Sequence, residues 1–420
     1  MEDAMIGLGY ANRLLSNDEI QSVVAQALDA WDLKNKRVLV IVPDRTRTAP
    51  IPSLFRLVHQ ELAGKAKSLD FLVALGTHSV MSEEALNQLF ALTPEERNGK
   101  YAGTRILNHR WDLPETFATL GFISPQETME ISQGMLSVEV PVKINALVLQ
   151  YDVLLICGPV FPHEVVGFSG GNKYFFPGVS GREIIDFTHW LGALLTSYAI
   201  IGVKHTPVRA IIEHAAQMIP TPKLCIAFVA THDGLHGIYA GDIQAAWSAA
   251  ADLSAQVHIR YVDHPYQRVL SIMPEQYDDL WTGAKGMYKL EPVIADGGEV
   301  VIYAPHIHEF SYTHGKVIEA IGYHVRDFFV KQWDQYKNHP WGVLAHSTHL
   351  RGLGSFEQGV EKPRIRVTLA TGISKERCEN VGLGYLNPAQ IRIGDWQGRA
   401  QEGILVVPNA GDLLYRLKPR

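Results

Sequence analysis

Four side chains capable of chemistry follow three short apolar runs. Asp44 and Arg47 stand in "PDRTRTAP", His78 in "GTHSV" and His163 in "GPVFPHE". Histidine is the side chain best matched to proton transfer near neutral pH. A guanidinium presents a planar fork to a carboxylate or phosphate, and a neighbouring aspartate can orient it. Each residue also has a plain structural alternative. Asp44 and Arg47 could form a surface ion pair, and either histidine could simply bond to backbone beside a turn. Their shared position behind apolar runs is what singles them out.

A glycine-rich loop, "GFSGGNKYFFPGVSGRE" (Gly167–Glu183), lies directly after His163. Its glycines admit backbone conformations closed to other residues and allow a ligand to approach closely. Ser169 adds a hydroxyl, and exposed amides beside Gly170 and Gly171 could form an anion nest. Lys173 is followed by Tyr174, so the hydroxyl of a GxxxxGK[ST] loop is missing, and GxGxxG is missing too. A flexible connection with a solvated lysine is the other reading. The loop leads into a helical segment carrying His189. One imidazole is not a metal site, so any metal there needs ligands from a cofactor. Further histidines stand in "HIHEFSYTHG" (His306, His308, His314) and "HSTHLRG" (His346, His349). They raise a zinc hydrolase as an alternative, although HExxH is absent, and a structural role at the edge of a site serves equally well.

Positioning these residues requires an α/β scaffold. Near-continuous apolar runs at Lys36–Asp44, Ser68–Gly76, Asp152–Gly158 and Lys223–Ala230 read as buried strands, as do Gly298–Pro305, Ile365–Gly372 and Gly403–Asn409. Between the first two, "IPSLFRLVHQELAGK" has helical spacing and ends near Gly64. Such alternation predicts mainly parallel sheets covered on both faces, with ligands at the carboxyl ends of strands. A chain of 420 residues exceeds one compact core. We expect an N-terminal α/β domain over 1–270, carrying cofactor and catalysis, and a C-terminal α/β domain over 271–420 contributing substrate contacts. The boundary is set by Asp263–Gln276, a segment poor in strand pattern and holding Pro265 and Pro274.

Bulk properties narrow the function. Hydrophobic content of 46% with 20% charged residues is ordinary for a soluble enzyme, and a net charge of −6 gives no reason to expect nucleic acid or an anionic membrane as partner. Three dispersed cysteines suggest no disulfide framework and a reduced, cytoplasmic setting. The N-terminus lacks the basic and apolar regions of a signal peptide. Ile184–Val203 approaches membrane-spanning length, but Asp186, Thr188 and His189 favour a buried helix beside a polar site.

Taken together, "DRTRTAP", "GTH", "PHEVVGFSGGNKYFFPGVSG", "THW" and "WTGAKG" resemble the LarA family, the nickel-pincer-nucleotide-dependent lactate racemases and their relatives. The resemblance covers most of the chain and is most specific over Pro162–His189. It implies a pyridinium-3-thioamide-5-thiocarboxylic acid mononucleotide holding nickel, joined to Lys173 through its thioamide. His189 would complete the nickel coordination, with Thr46, Ser169, Gly170 and Gly171 as further cofactor-binding positions. His78 and His163 would be the acid/base pair, while Arg47, oriented by Asp44, and Lys285 would hold the substrate carboxylate. The implied reaction is inversion at C2 of a 2-hydroxy acid by reversible hydride transfer through a 2-keto acid, in an interdomain cleft that excludes water. Cofactor-synthesis proteins would be partners, and a homo-oligomer is compatible with the sequence.

The match departs from the family at substrate positions. Lactate racemases typically have Tyr-Gln four and three residues before the lysine matching Lys285, where this chain has Trp281 and Thr282. A tryptophan expected later has no clear counterpart near "LAHSTHLRG". The same chemistry on another substrate, such as a sugar acid or longer hydroxy acid, is therefore the expectation. A non-catalytic protein that stores or delivers the nickel nucleotide is the alternative. It would share Lys173 and His189 but have no need of both His78 and His163.

Overall fold

The computed structural model describes residues 5–419. The apolar run behind Asp44 forms the strand Arg37–Pro43, hydrogen-bonded on one side to Val153–Pro159 and on the other to Ser68–Ala74, both parallel. Val40 faces Leu155 and Phe71 in this register. All three are essentially buried, as near-continuous Val/Ile/Leu runs require when both sheet faces are covered. Lys223–Thr231 and Ile106–Asn108 extend the parallel set. Gly234–Gly241 and, at the edge, Ile6–Gly9 complete a seven-stranded sheet through antiparallel pairings. The seven strands expected from apolar runs are all present within a residue or two at most ends. Ile294–Ala304 starts four residues earlier than the expected Gly298.

The helix Ile51–Leu62 packs Leu54, Phe55 and Val58 onto this sheet, and Gly64, just beyond its end, adopts a left-handed φ of 80°. Phe55 lies 4.8 Å from Phe71 and 5.1 Å from Phe90 between ring centroids. Burying each such ring contributes about 1.5–3 kcal/mol.

By contact density the chain forms two units. The first comprises 1–161, 168–185 and 209–257; the second comprises 162–167, 186–208 and 258–420. The second unit's sheet runs Gly384–Tyr385, Arg366–Thr371, Ile294–Ala304, Tyr266–Ile272, Ile404–Val407, and every pairing is parallel. Tyr266–Ile272 corrects the reading of Asp263–Gln276 as poor in strand pattern. Its exposed positions Gln267 and Arg268 hide the pattern, and Arg268 is retained by an ion pair with Glu299 at 3.1 Å. Ile184–Val203 divides into two helices, Arg182–Leu195 and Ser197–Ile200, broken at Thr196 with a φ of 73°. Among the described residues no helix is long and apolar enough to cross a membrane.

Candidate active-site elements

In the first unit, Asp44 leaves the end of strand Arg37–Pro43 almost fully buried. One carboxylate oxygen accepts from the Thr46 amide at 3.0 Å and its hydroxyl at 2.6 Å. The other meets Nδ1 of His78. Burial alone would raise the Asp44 carboxyl, but the His78 ring, the Arg47 charge and the Thr46 hydroxyl hold it well below the usual carboxylate range. Asp44 therefore orients His78 directly. It reaches Arg47 through Thr46, whose hydroxyl accepts from Arg47 Nη1 at 3.2 Å. The guanidinium also lies 5.6 Å from the Phe161 ring. The "GTH" turn that presents His78 is tied down on both sides. Gly76, at a φ of 57°, donates to the Gly178 carbonyl at 2.9 Å, and Trp111 Nε1 donates to the His78 carbonyl at 2.7 Å.

The glycine-rich loop is the most heavily braced segment nearby. Ser169 Oγ donates to the Pro159 carbonyl at 3.0 Å and accepts from the Phe161 amide at 2.9 Å. Trp247 Nε1 donates to the Ser169 carbonyl at 2.8 Å. Arg209, 3% exposed, donates to the carbonyls of Gly170, at 3.1 Å, and Phe168, and its guanidinium stacks 4.3 Å from Trp247. Burial pushes Arg209 down to about 10 while Glu213 opposes it, so the cation persists at neutral pH. Gly170 and Gly171 have φ of 79° and 58°, and a Cβ on either would press into Val160 or Trp247. These glycines thus serve close packing as well as loop shape. Ser169's proton is committed to the backbone. Lys173 follows in a short 3-10 turn, partly exposed, while Tyr174 is buried with its hydroxyl against Gly158.

Arg209, Glu213 and Trp247 had no motif to reveal them. The only local signal is the i,i+4 spacing of Arg209 and Glu213, whose side chains pair at 3.4 Å on the helix Pro207–Gln217.

The second unit carries His163, 5% exposed. Its Nδ1 accepts from the Val165 amide at 3.2 Å and lies 3.3 Å from a Glu164 carboxylate oxygen. Both protonation states therefore have a partner: the amide for the neutral ring, the carboxylate for a protonated Nδ1. His189 lies partly exposed on the helix Arg182–Leu195. That stretch is fixed by Trp190 stacking on Trp333, 5.1 Å between centroids, and by Asp186 accepting from the Gly342 amide at 2.8 Å.

In "WTGAKG", Thr282 donates its hydroxyl proton to Asp279 at 2.9 Å and its amide to the same oxygen at 3.0 Å, capping a short helix. Burial raises the Asp279 carboxyl, and these bonds oppose that shift. Lys285 is 7% exposed, its Nζ 4.4 Å from the Tyr277 ring centroid. Trp281 stacks on His346 and lies 4.6 Å from the His314 ring.

The later histidines divide into two sets: His314 and His346 flank Trp281, with His349 close to His346, whereas His306 and His308 lie elsewhere. His306 contacts the Tyr277 carbonyl at 3.1 Å, His308 is exposed and His314 meets Trp281. Among the described residues, no group of three His, Cys, Asp or Glu is arranged to hold a metal.

Comparison with known proteins fits this layout. A family model described as the lactate racemase N-terminal domain matches residues 17–199. The lactate racemase of Thermoanaerobacterium thermosaccharolyticum is 25% identical over 280 residues, covering 64% of this chain and 60% of that protein. The lactate racemase of Lactiplantibacillus plantarum is 21% identical over 304 residues, covering 70% of this chain and 67% of that one. Among solved structures, a Thermotoga maritima protein is 31% identical with a TM-score of 0.89, covering 98% of this chain and all of that one. The lactate racemase apoprotein from T. thermosaccharolyticum gives a TM-score of 0.70 at 19% identity, with 98% of this chain and 100% of that one covered. The latter likeness concerns the fold.

Proposed function

We propose that the chain is a LarA-family racemase or epimerase inverting C2 of a 2-hydroxy acid. The observation that carries this reading is the pairing of each candidate acid/base histidine with a carboxylate: His78 with Asp44, and His163 with Glu164. Inversion needs a proton taken from the 2-hydroxyl on one approach and returned on the other, and two carboxylate-backed imidazoles suit that task. A carrier protein would need only an attachment residue and a ligand.

The residues present fit the family's nickel nucleotide by their donor chemistry. Since no protein trio of ligands is assembled among the described residues, a metal at His189 needs donors from a bound group. Lys173 is a partly exposed amine on a braced loop, suited to covalent attachment. When bound, the group would accept and return the C2 hydride, leaving a planar 2-keto acid in between. Arg47 and Lys285 would hold the substrate carboxylate, and Asp44 keeps His78 aligned for the hydroxyl proton. Thr46 relays Asp44 to Arg47, so both act from one rigid turn.

Trp281 and Thr282 distinguish this chain from a lactate enzyme, and a sugar acid or other longer 2-hydroxy acid is the proposed substrate. The test is C2 inversion by cofactor-loaded protein across lactate, malate, aryl and sugar acids, with intact mass reporting an adduct at Lys173. Loaded protein inert on every acid would favour the storage role.

A further inference from the structure

His346 lies on the helix Trp341–Arg351, three residues before His349 and on the same face. Its ring stacks on Trp281 with centroids 4.1 Å apart and planes 9° from parallel. Its Nε2 is 3.2 Å from the Trp281 carbonyl oxygen. A carbonyl only accepts, so Nε2 carries the proton and Nδ1 is left with a lone pair. His346 is 7% exposed, and Nδ1 has no hydrogen-bond partner among the described residues. Burial pushes the ring down to about 3, which keeps Nδ1 an acceptor at neutral pH. A buried acceptor without a donor is unfavourable until a donor arrives.

His349 repeats the pattern. It is 4% exposed with Nε2 unpartnered among the described residues, and it feels the charges of Glu164 and His189. The second unit thus gathers Trp281, His346 and His349 near residues already assigned to the site.

We propose that His346 Nδ1, on the Trp281 platform, accepts a hydrogen bond from a substrate hydroxyl beyond C2, making this a polyhydroxy-acid subsite. The inference rests on the 2-hydroxy-acid reading and deepens it. A second carboxylate is ionised at neutral pH and has no proton to offer Nδ1. An alkyl chain has no donor at all. A hydroxylated chain supplies the missing O–H.

The test compares equilibrium binding of three acids to cofactor-loaded full-length protein: a six-carbon aldonate, 2-hydroxyhexanoate and malate. The wild type is expected to bind the aldonate about tenfold tighter than either other acid, the scale of one well-placed hydrogen bond. His346→Phe keeps a flat ring for Trp281 but removes both nitrogens, and should bring the ratio close to one. His346→Gln, which retains an acceptor, should restore part of it. A wild type that prefers malate or 2-hydroxyhexanoate, or a ratio unchanged in His346→Phe, overturns the subsite. C2 inversion measured in parallel separates the two ideas. Loss of all inversion contradicts the racemase reading, whereas the binding ratio still decides the subsite.

Discussion

The glycine-rich loop of the first unit and the Trp281–His346 wall of the second differ in which polar groups are met: the loop's backbone carbonyls have donors, while Asn172 Oδ1 beside Lys173 is buried without a partner among the described residues. Around Lys173, the carbonyls of Phe168, Ser169 and Gly170 each receive a donor from Arg209 or Trp247. Around Trp281, two histidine nitrogens are buried with no partner among the described residues. A segment proposed to hold an attached group gains from a braced backbone, because rigidity keeps the attached atom in place. A surface that must admit a changing ligand keeps acceptors open for it. On the proposed function, the difference would separate anchoring from recognition within one chain.

The largest effect should come from Lys173, the proposed attachment residue. Lys173→Ala should abolish the covalent mass adduct and reduce C2 inversion by more than about a thousandfold, the range lost when covalent attachment and positioning go together. Full activity without the adduct would remove the distinction.

Next come His78 and His163, the two histidines proposed for proton transfer. His78→Gln and His163→Gln should each lower turnover by about 10²–10⁴-fold, the range of general acid–base catalysis. If they serve opposite faces, initial rates from the two enantiomers should be affected unequally, and in opposite order in the two variants.

Arg209→Met strikes the bracing. Two buried carbonyls lose their donor, so stability should fall by about 2–5 kcal/mol in denaturant titration. Adduct formation at Lys173 should fall with it, while the Trp281 side keeps its ligand preference.

A pH effect follows from His109, which is buried and contacts the Ser180 carbonyl at 3.2 Å. Burial pushes this ring down to about 4. The unfolded chain, titrating near 6.5, therefore binds the proton first. Stability from the neutral ring is complete above that value and is lost as pH falls towards 4, by on the order of 3 kcal/mol. Thermal melts of His109→Gln should show a shallower acid limb. Thr282→Val leaves the amide bond to Asp279 but removes the hydroxyl's, and should cost about 1 kcal/mol, the worth of one hydrogen bond; a far larger loss would mark a role beyond this bond.

Much of the fold was legible because buried parallel strands write themselves as continuous apolar runs. Arg37–Pro43 and Val153–Pro159 need no context to be recognised. Tyr266–Ile272 was hidden by Gln267 and Arg268, whose placement depends on Glu299 in a distant strand. The interleaving of the two units through 162–167 and 186–208 has no linker or composition shift to mark it.

At the site, the types and strand-end positions of Asp44, His78 and His163 were visible in the sequence. The pairing of Asp44 with His78 was not, whereas Glu164 stands next to His163 in the chain. Asp44 pairs with His78 across 34 positions, and Arg209 reaches Gly170 across 39. Such pairings are set by tertiary packing. That His346 Nδ1 has no partner among the described residues follows from tertiary packing, which local sequence does not record.

The most direct test is to supply cofactor-loaded protein with one enantiomer of a 2-hydroxy acid deuterated at C2, and to follow both configuration and label. Hydride transfer within the site predicts inversion with the deuterium retained at C2. Inversion accompanied by loss of the label to water would contradict it.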